Sequence, residues 1–253
     1  VKQTRVERKY LLTLTQYDFF SNVLSSFMKL DNYSARSKLN QAFYPILSQY
    51  YDTSEFQFFK EKINGEWEHR KLRRRCYGKS FDANQSSFWE VKHKKGDLQI
   101  KIRKKADASL PTEGVVIPPL CLDYLNASKG LQFIKTIQVF YMRKAYDSFF
   151  IQEGKKKSFQ SRFRVTFDKN ILAMRPSETV ERTARRRSPL LWERHQPRIL
   201  MEVKSDSFSM PAFFEEMLKN QNIDQVSFSK YANCMQLILE ELGEEGVDFG
   251  QSL

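Results

Sequence analysis

Glu90, Lys92 and Lys94 stand two residues apart, and Lys101 and Arg103 follow at the same interval after Lys95-Gly96-Asp97. Side chains alternate across a strand, so each set shares one face. Gly96 can supply the positive φ of a tight turn, and residues 88–103 therefore read as a β-hairpin with one face of charge. The spacing recurs in Arg73 and Arg75, Arg162 and Arg164, Glu202 and Lys204, and Glu7 and Lys9. Such a face meets either water or an anionic ligand. If the faces converge, Lys9, Arg73, Arg75, Lys92, Lys101, Arg103, Arg143, Arg164, Lys204 and Lys230 oppose only Glu7, Glu90 and Glu202. Like charges on antiparallel neighbours repel, and each uncompensated enclosed ion is costly. A cluster of that sign persists wet or with a polyanion bound. If the faces do not converge, they are the solvated side of an ordinary antiparallel sheet.

Composition leaves both readings open but narrows the partner. Lysine and arginine number 42 against 30 acidic residues, a net charge of +12, which points to nucleic acid, a membrane surface or a phosphorylated small molecule. With 41% hydrophobic residues, 21 of them Phe and 11 Tyr, the chain can bury a core rather than stay disordered. Cys76, Cys121 and Cys234 form no CxxC pair and leave one over, so a reducing, cytoplasmic setting is expected rather than a disulfide scaffold. His69, His93 and His195 lack zinc spacing. No apolar run approaches the roughly 18 residues of a membrane span, and no signal peptide is visible. Because the sequence starts at Val1, it is expected to be an excised domain, with any membrane-associated segment or partner outside it.

The elements that must position these charges alternate along the chain. Strands are predicted at residues 4–12, 42–52, 67–77, 88–94, 98–103, 135–150, 158–171 and 199–205. Pro45 marks the second as an edge or a bulge. Helices are predicted at 16–28, with Thr15 as N-cap, at 54–62, at 120–128, at 211–220 and at 229–242. Residues 106–130 break the pattern with Pro111, Gly114, Pro118 and Pro119, and 174–197 read as a loop carrying Arg182 and Arg185-Arg186-Arg187. Gly78-Lys79-Ser80 ends like a P-loop, but Arg73 stands where that motif needs glycine. No repeat or linker divides the chain, so a single α+β domain over residues 1–253 is expected, built on a largely antiparallel sheet. Closing that sheet with its charge inward and helices over its apolar side would enclose the cations.

Eight short segments carry a resemblance. They are Arg5-Val6-Glu7-Arg8-Lys9-Tyr10, His69 through Gly78, Glu90-Val91-Lys92, Lys101-Ile102-Arg103, Tyr141-Met142-Arg143, Phe163-Arg164-Val165, Met201-Glu202-Val203-Lys204 and Phe228-Ser229-Lys230-Tyr231. In that order, over nearly the whole chain, they resemble the VTC domain, the polyphosphate polymerase branch of the triphosphate tunnel metalloenzymes. The resemblance implies an eight-stranded antiparallel β-barrel, helices packed outside and a C-terminal helix at one mouth. It further implies that ATP and inorganic polyphosphate are the partners, with no nucleic acid, and that Mn²⁺ or Mg²⁺ is the cofactor. By position, Arg73, Arg75, Lys92, Lys101, Arg103, Arg143 and Glu202 would be catalytic, with Glu202 also ligating the metal. Lys9, Arg164, Lys204, Ser229 and Lys230 would bind substrate. Glu7 and Glu90 are assigned to holding neighbouring cations in place. Ser227 stands where related sequences often carry lysine, which leaves that phosphate contact open. The Glu-x-Glu-x-Lys strand of the hydrolytic relatives is here Arg5-x-Glu7-x-Lys9, one acid short. Metal-dependent triphosphate hydrolysis and non-catalytic polyanion binding remain the alternatives.

Overall fold

The computed structural model describes residues 6–82, 85–96, 98–106, 116–125, 131–153, 158–185, 198–206, 210–241 and 243. Strands are β1 (Val6–Leu12), β2 (Lys29–Leu30), β3 (Tyr44–Thr53), β4 (Glu68–Cys76), β5 (Ser87–Lys95), β6 (Leu98–Lys105), β7 (Phe133–Glu153), β8 (Ser158–Met174) and β9 (Ile199–Ser205). Helices are α1 (Leu14–Ser25), α2 (Asn32–Arg36), α3 (Gln57–Ile63), α4 (Pro119–Tyr124), α5 (Val180–Arg185), α6 (Ala212–Asn220) and α7 (Lys230–Glu241). The strands join in the order β1-β9-β8-β7-β3-β4-β5-β6, with β2 on β7. This is the large antiparallel sheet of the expected α+β class. Among the described residues no pairing joins β6 to β1, so the path is open.

The chain divides into two compact units, each assembled from three separate stretches. The first comprises Val1–Tyr44, Met142–Asn170 and Trp192–Phe228. Its register sets Tyr10 opposite Met201 and Phe167 opposite Met201, while Lys9 and Thr166 lie opposite Glu202. Alternation then does the sorting. Tyr10, Phe163, Val165, Phe167, Met201 and Val203 turn into a core with Phe20 and Leu24 of α1 and Phe214 of α6. Full burial of one such side chain contributes about 1.5–3 kcal/mol. The charged residues take the other face. Helix α1 starts earlier than expected because Thr13, not Thr15, caps it. The Gln16 N–H donates to the Thr13 hydroxyl, and the Gln16 side chain accepts from the Thr13 N–H, a reciprocal capping box.

The second unit comprises Pro45–Tyr141, Ile171–Leu191 and Ser229–Leu253. Leu72, Trp89 and Val91 are buried on one side of the β4–β5 ladder, where α4 packs on β5. Cys76 shares that apolar environment, and burial pushes its thiol up to about 11. Helix α3 lies against β4 and α7. Asp52 ties these helices together: its carboxylate accepts the N–H groups of Thr53, Phe58 and Phe59 and the Tyr231 hydroxyl at 2.6 Å. Burial raises its pKa against the pull of those donors. Pro45 does not mark an edge. β3 runs between β7 and β4, and Pro45 sits at its start, before the ladder with β4 begins at Leu47. Helix α5 replaces part of the expected 174–197 loop and carries Arg182, whereas Arg186 and Arg187 lie outside the described residues. The expected helical residues 126–128 lie outside them too.

The hairpin forms as the alternation predicts, with Lys92 opposite Lys101 and Glu90 opposite Arg103. Gly96 has φ +55°, and a Cβ there would lie 2.2 Å from the Trp67 ring. Trp67 is 72% exposed and its ring can swing away, but the backbone strain cannot relax. Gly96→Ala should therefore destabilise the fold by about 1–2 kcal/mol in urea unfolding; an unmoved midpoint would show that the turn tolerates a side chain. No helix among the described residues is long and apolar enough to cross a membrane.

Candidate functional site

In the second unit, β4, β5 and β6 lay their charges side by side in rows. Lys71, Lys92 and Lys101 form one row, Arg73, Glu90 and Arg103 the next, and Arg75, Phe88 and Lys105 the third. Glu90 sits at the centre, 3% exposed. Arg73 grips it through Nε at 2.8 Å and Nη2 at 2.6 Å, both to Oε2. Arg75 Nη1 lies 3.6 Å from the same oxygen, while Lys101 Nζ and Arg103 Nε lie 3.7 and 3.8 Å from Oε1. Burial alone would raise the Glu90 pKa, but Arg75, Arg73 and Lys101 hold it well below the usual carboxylate range. One carboxylate thus organises four cations, which is the holding role assigned to Glu90 from the sequence. Like charges in adjacent strands repel, and the Glu90 carboxylate offsets part of that repulsion here.

Neighbouring side chains fix the partly exposed Arg73 and the buried Arg75. Arg73 Nη1 donates to the Tyr50 hydroxyl at 3.1 Å, and its guanidinium lies over the Tyr50 ring. Tyr50 in turn stacks on Tyr231 of α7, centroids 5.0 Å apart and planes 17° from parallel. Arg75 Nε donates to the Ser48 hydroxyl at 3.3 Å. The start of α7 therefore braces the charged face. Ser229 is the N-cap of that helix: its hydroxyl accepts from the Ala232 N–H at 3.2 Å and from Lys71 Nζ at 2.9 Å. Lys230 is buried with Nζ 5.0 Å above the Tyr141 ring. Lys71, Tyr50 and Ser48 were not among the expected site residues. Lys71 was legible two residues before Arg73, on the same face.

The first unit holds the remaining expected residues in a different electrostatic state. Arg143 makes a bidentate pair with Asp168, at 2.6 and 2.7 Å, and Asp168 is fully buried. Glu202 lies 3.6 Å from Arg143 Nη2 and 3.2 Å from Lys204 Nζ. Glu7 lies 3.4 Å from Lys9 and 3.8 Å from Lys204, as its assigned holding role requires. Lys9 Nζ also donates to the Phe228 carbonyl at 2.6 Å. Arg164 pairs with Asp147 and, at 2.7 Å, with Asp31. The expected excess of cations omitted Asp31, Asp147 and Asp168. With them, the first-unit cluster is close to charge balance among the described residues, whereas in the second unit four cations surround Glu90. Glu7 and Glu202, flanking Lys204, are the oxygen donors that could hold a hard divalent cation there. Among the described residues no cluster of three or more His, Cys, Asp or Glu would hold an ion by protein ligands alone.

Comparison with known proteins gives a match to the VTC domain family over residues 4–239. Among curated proteins no match is found. A solved structure, that of the PH1819 protein from Pyrococcus horikoshii OT3, is similar at 13% identity and a TM-score of 0.45, covering 94% of this chain and 99% of that one.

Proposed function

Since the chain belongs to the VTC domain family, which is linked to polyphosphate metabolism, we propose that it is an ATP-dependent polyphosphate polymerase. The observation that carries this reading is the Glu90 hub, where four cations share one buried carboxylate beside the Lys71-Lys92-Lys101 row. A chain of phosphates is a ligand whose charge complements such rows of lysine and arginine.

Phosphoryl transfer asks the protein for positioning and charge stabilisation rather than covalent chemistry. Arg73 and Arg75 present planar forks to the γ-phosphate, and Lys92 and Lys101 add point charges. An oxygen of the terminal phosphate of the growing chain attacks the γ-phosphorus in line. The bond from that phosphorus to the β,γ-bridging oxygen breaks, and ADP leaves with its electron pair. The attacking oxygen is already anionic, so no side-chain nucleophile or base is needed. Glu202, with Glu7 near it, would hold Mg²⁺ or Mn²⁺, since such hard ions prefer oxygen ligands. When bound, the ion neutralises charge on the phosphate oxygens. Arg103, Arg143, Lys9, Arg164, Lys204, Ser229 and Lys230 are proposed as further contacts to the substrate. The tunnel barrel implied by the resemblance belongs to the same proposal, with the charged faces as its wall.

Hydrolysis of triphosphate on this scaffold is the rival reading, and Arg5 in place of a first-strand acid counts against it. One assay separates them. Supplied with ATP and Mn²⁺ or Mg²⁺, the protein should yield ADP and a ladder of polyphosphate on a gel. Free phosphate in place of the ladder would move the reading to hydrolysis, and neither product would leave a binding domain.

A further inference from the structure

Phe88 is an aromatic residue set into the charged face, with Arg75 and Lys105 as its cross-strand neighbours. It is half-buried, whereas Trp89 beside it points to the opposite side and is buried. The Arg103 guanidinium lies 3.8 Å from the centre of the Phe88 ring and 5.6 Å from that of Tyr77. Arg103 Nη2 donates to the Tyr77 hydroxyl at 3.0 Å, and the two rings meet edge to face at 6.2 Å. Two rings and a flat guanidinium are thus assembled at the edge of the Glu90 hub. Phe88 is two residues along β5 from Glu90, about 7 Å. That is the scale on which a ribose separates a base from its phosphates.

We propose that Tyr77, Phe88 and the stacked Arg103 form a platform for the purine base of the nucleoside triphosphate, a reading that rests on the ATP reaction above. The flat groups supply π surface for stacking, which tolerates any base but favours the larger purine. The Tyr77 hydroxyl and the Arg103 guanidinium edge supply hydrogen-bonding groups in the plane of an incoming base. Arg103 then acts at the seam between base and phosphate, its Nε toward Glu90 and its plane toward the rings.

The test is titration calorimetry of ATP and of inorganic triphosphate against the parent, Phe88→Leu and Tyr77→Leu, with melting curves to verify folding. Leucine keeps apolar bulk and removes the ring. Both variants should bind ATP about 5- to 100-fold more weakly, the range for losing one base–aromatic stack, and bind inorganic triphosphate within twofold of the parent. Equal loss for both ligands would overturn the platform, because the rings would then only position Arg103. Unchanged ATP binding in both variants would overturn it as well. A parent that binds neither ligand would instead remove the phosphate-binding reading on which the platform stands.

Discussion

Glu90→Gln should lose about 3–5 kcal/mol of folding free energy in phosphate-free buffer, because it strands Arg73 and Arg75 beside a neutral amide. Arg75 is 7% exposed, so water can compensate little of its charge. The same variant should respond more strongly than the parent to inorganic triphosphate, since the ligand now replaces the missing counter-ion. Urea unfolding with and without triphosphate reads both effects; a variant as stable as the parent would show that the hub is not enclosed. The pH dependence has a definite sign. The folded Glu90 carboxyl lies well below its ordinary 4.5, so its contribution is fully present above the unfolded pKa and lost as pH falls through the folded value. The stability gap between parent and variant should therefore stay constant from neutral pH down to about 5 and close only in stronger acid.

Arg75→Ala should reduce polyphosphate synthesis at least about 100-fold while leaving the protein folded, the usual effect of removing one donor aimed at transition-state charge. Folding should survive because Glu90 keeps its two bonds from Arg73 and because Ser48, the other partner, is a neutral hydroxyl. Turnover at saturating ATP, set against the melting temperature, separates the catalytic from the structural effect. Normal synthesis by a folded Arg75→Ala protein would remove this residue from the mechanism. Arg143 is a poorer probe of the same idea, since its loss leaves Asp168 charged in a fully buried position. Glu202→Ala tests the carboxylate side of the proposal in the same assay.

Much of the architecture was legible because local rules act on neighbouring residues. The hairpin over β5 and β6 followed from two alternating runs around Gly96, and β9 began and ended where the apolar-ionic alternation of residues 199–205 did. Helix α1 shows the limit. Thr13 and Thr15 are both sound caps by type, and only the reciprocal bond with Gln16 chooses the first. Helix α5 was missed because six residues, Val180–Arg185, are too short to show a period.

The candidate site divides along the same line. Residue order alone determined which side chains share a strand face, and so placed Arg73 with Arg75, Glu90 with Lys92 and Lys101 with Arg103, because alternation is a property of consecutive bonds. Tertiary structure decided which of those charges are compensated. Arg143 meets Asp168 from 25 residues away, and Arg164 meets Asp31 from 133. Coulomb attraction depends on distance in space, and no local pattern brings these acids to those bases. Only the assembled sheet gathers four cations around the single carboxylate of Glu90.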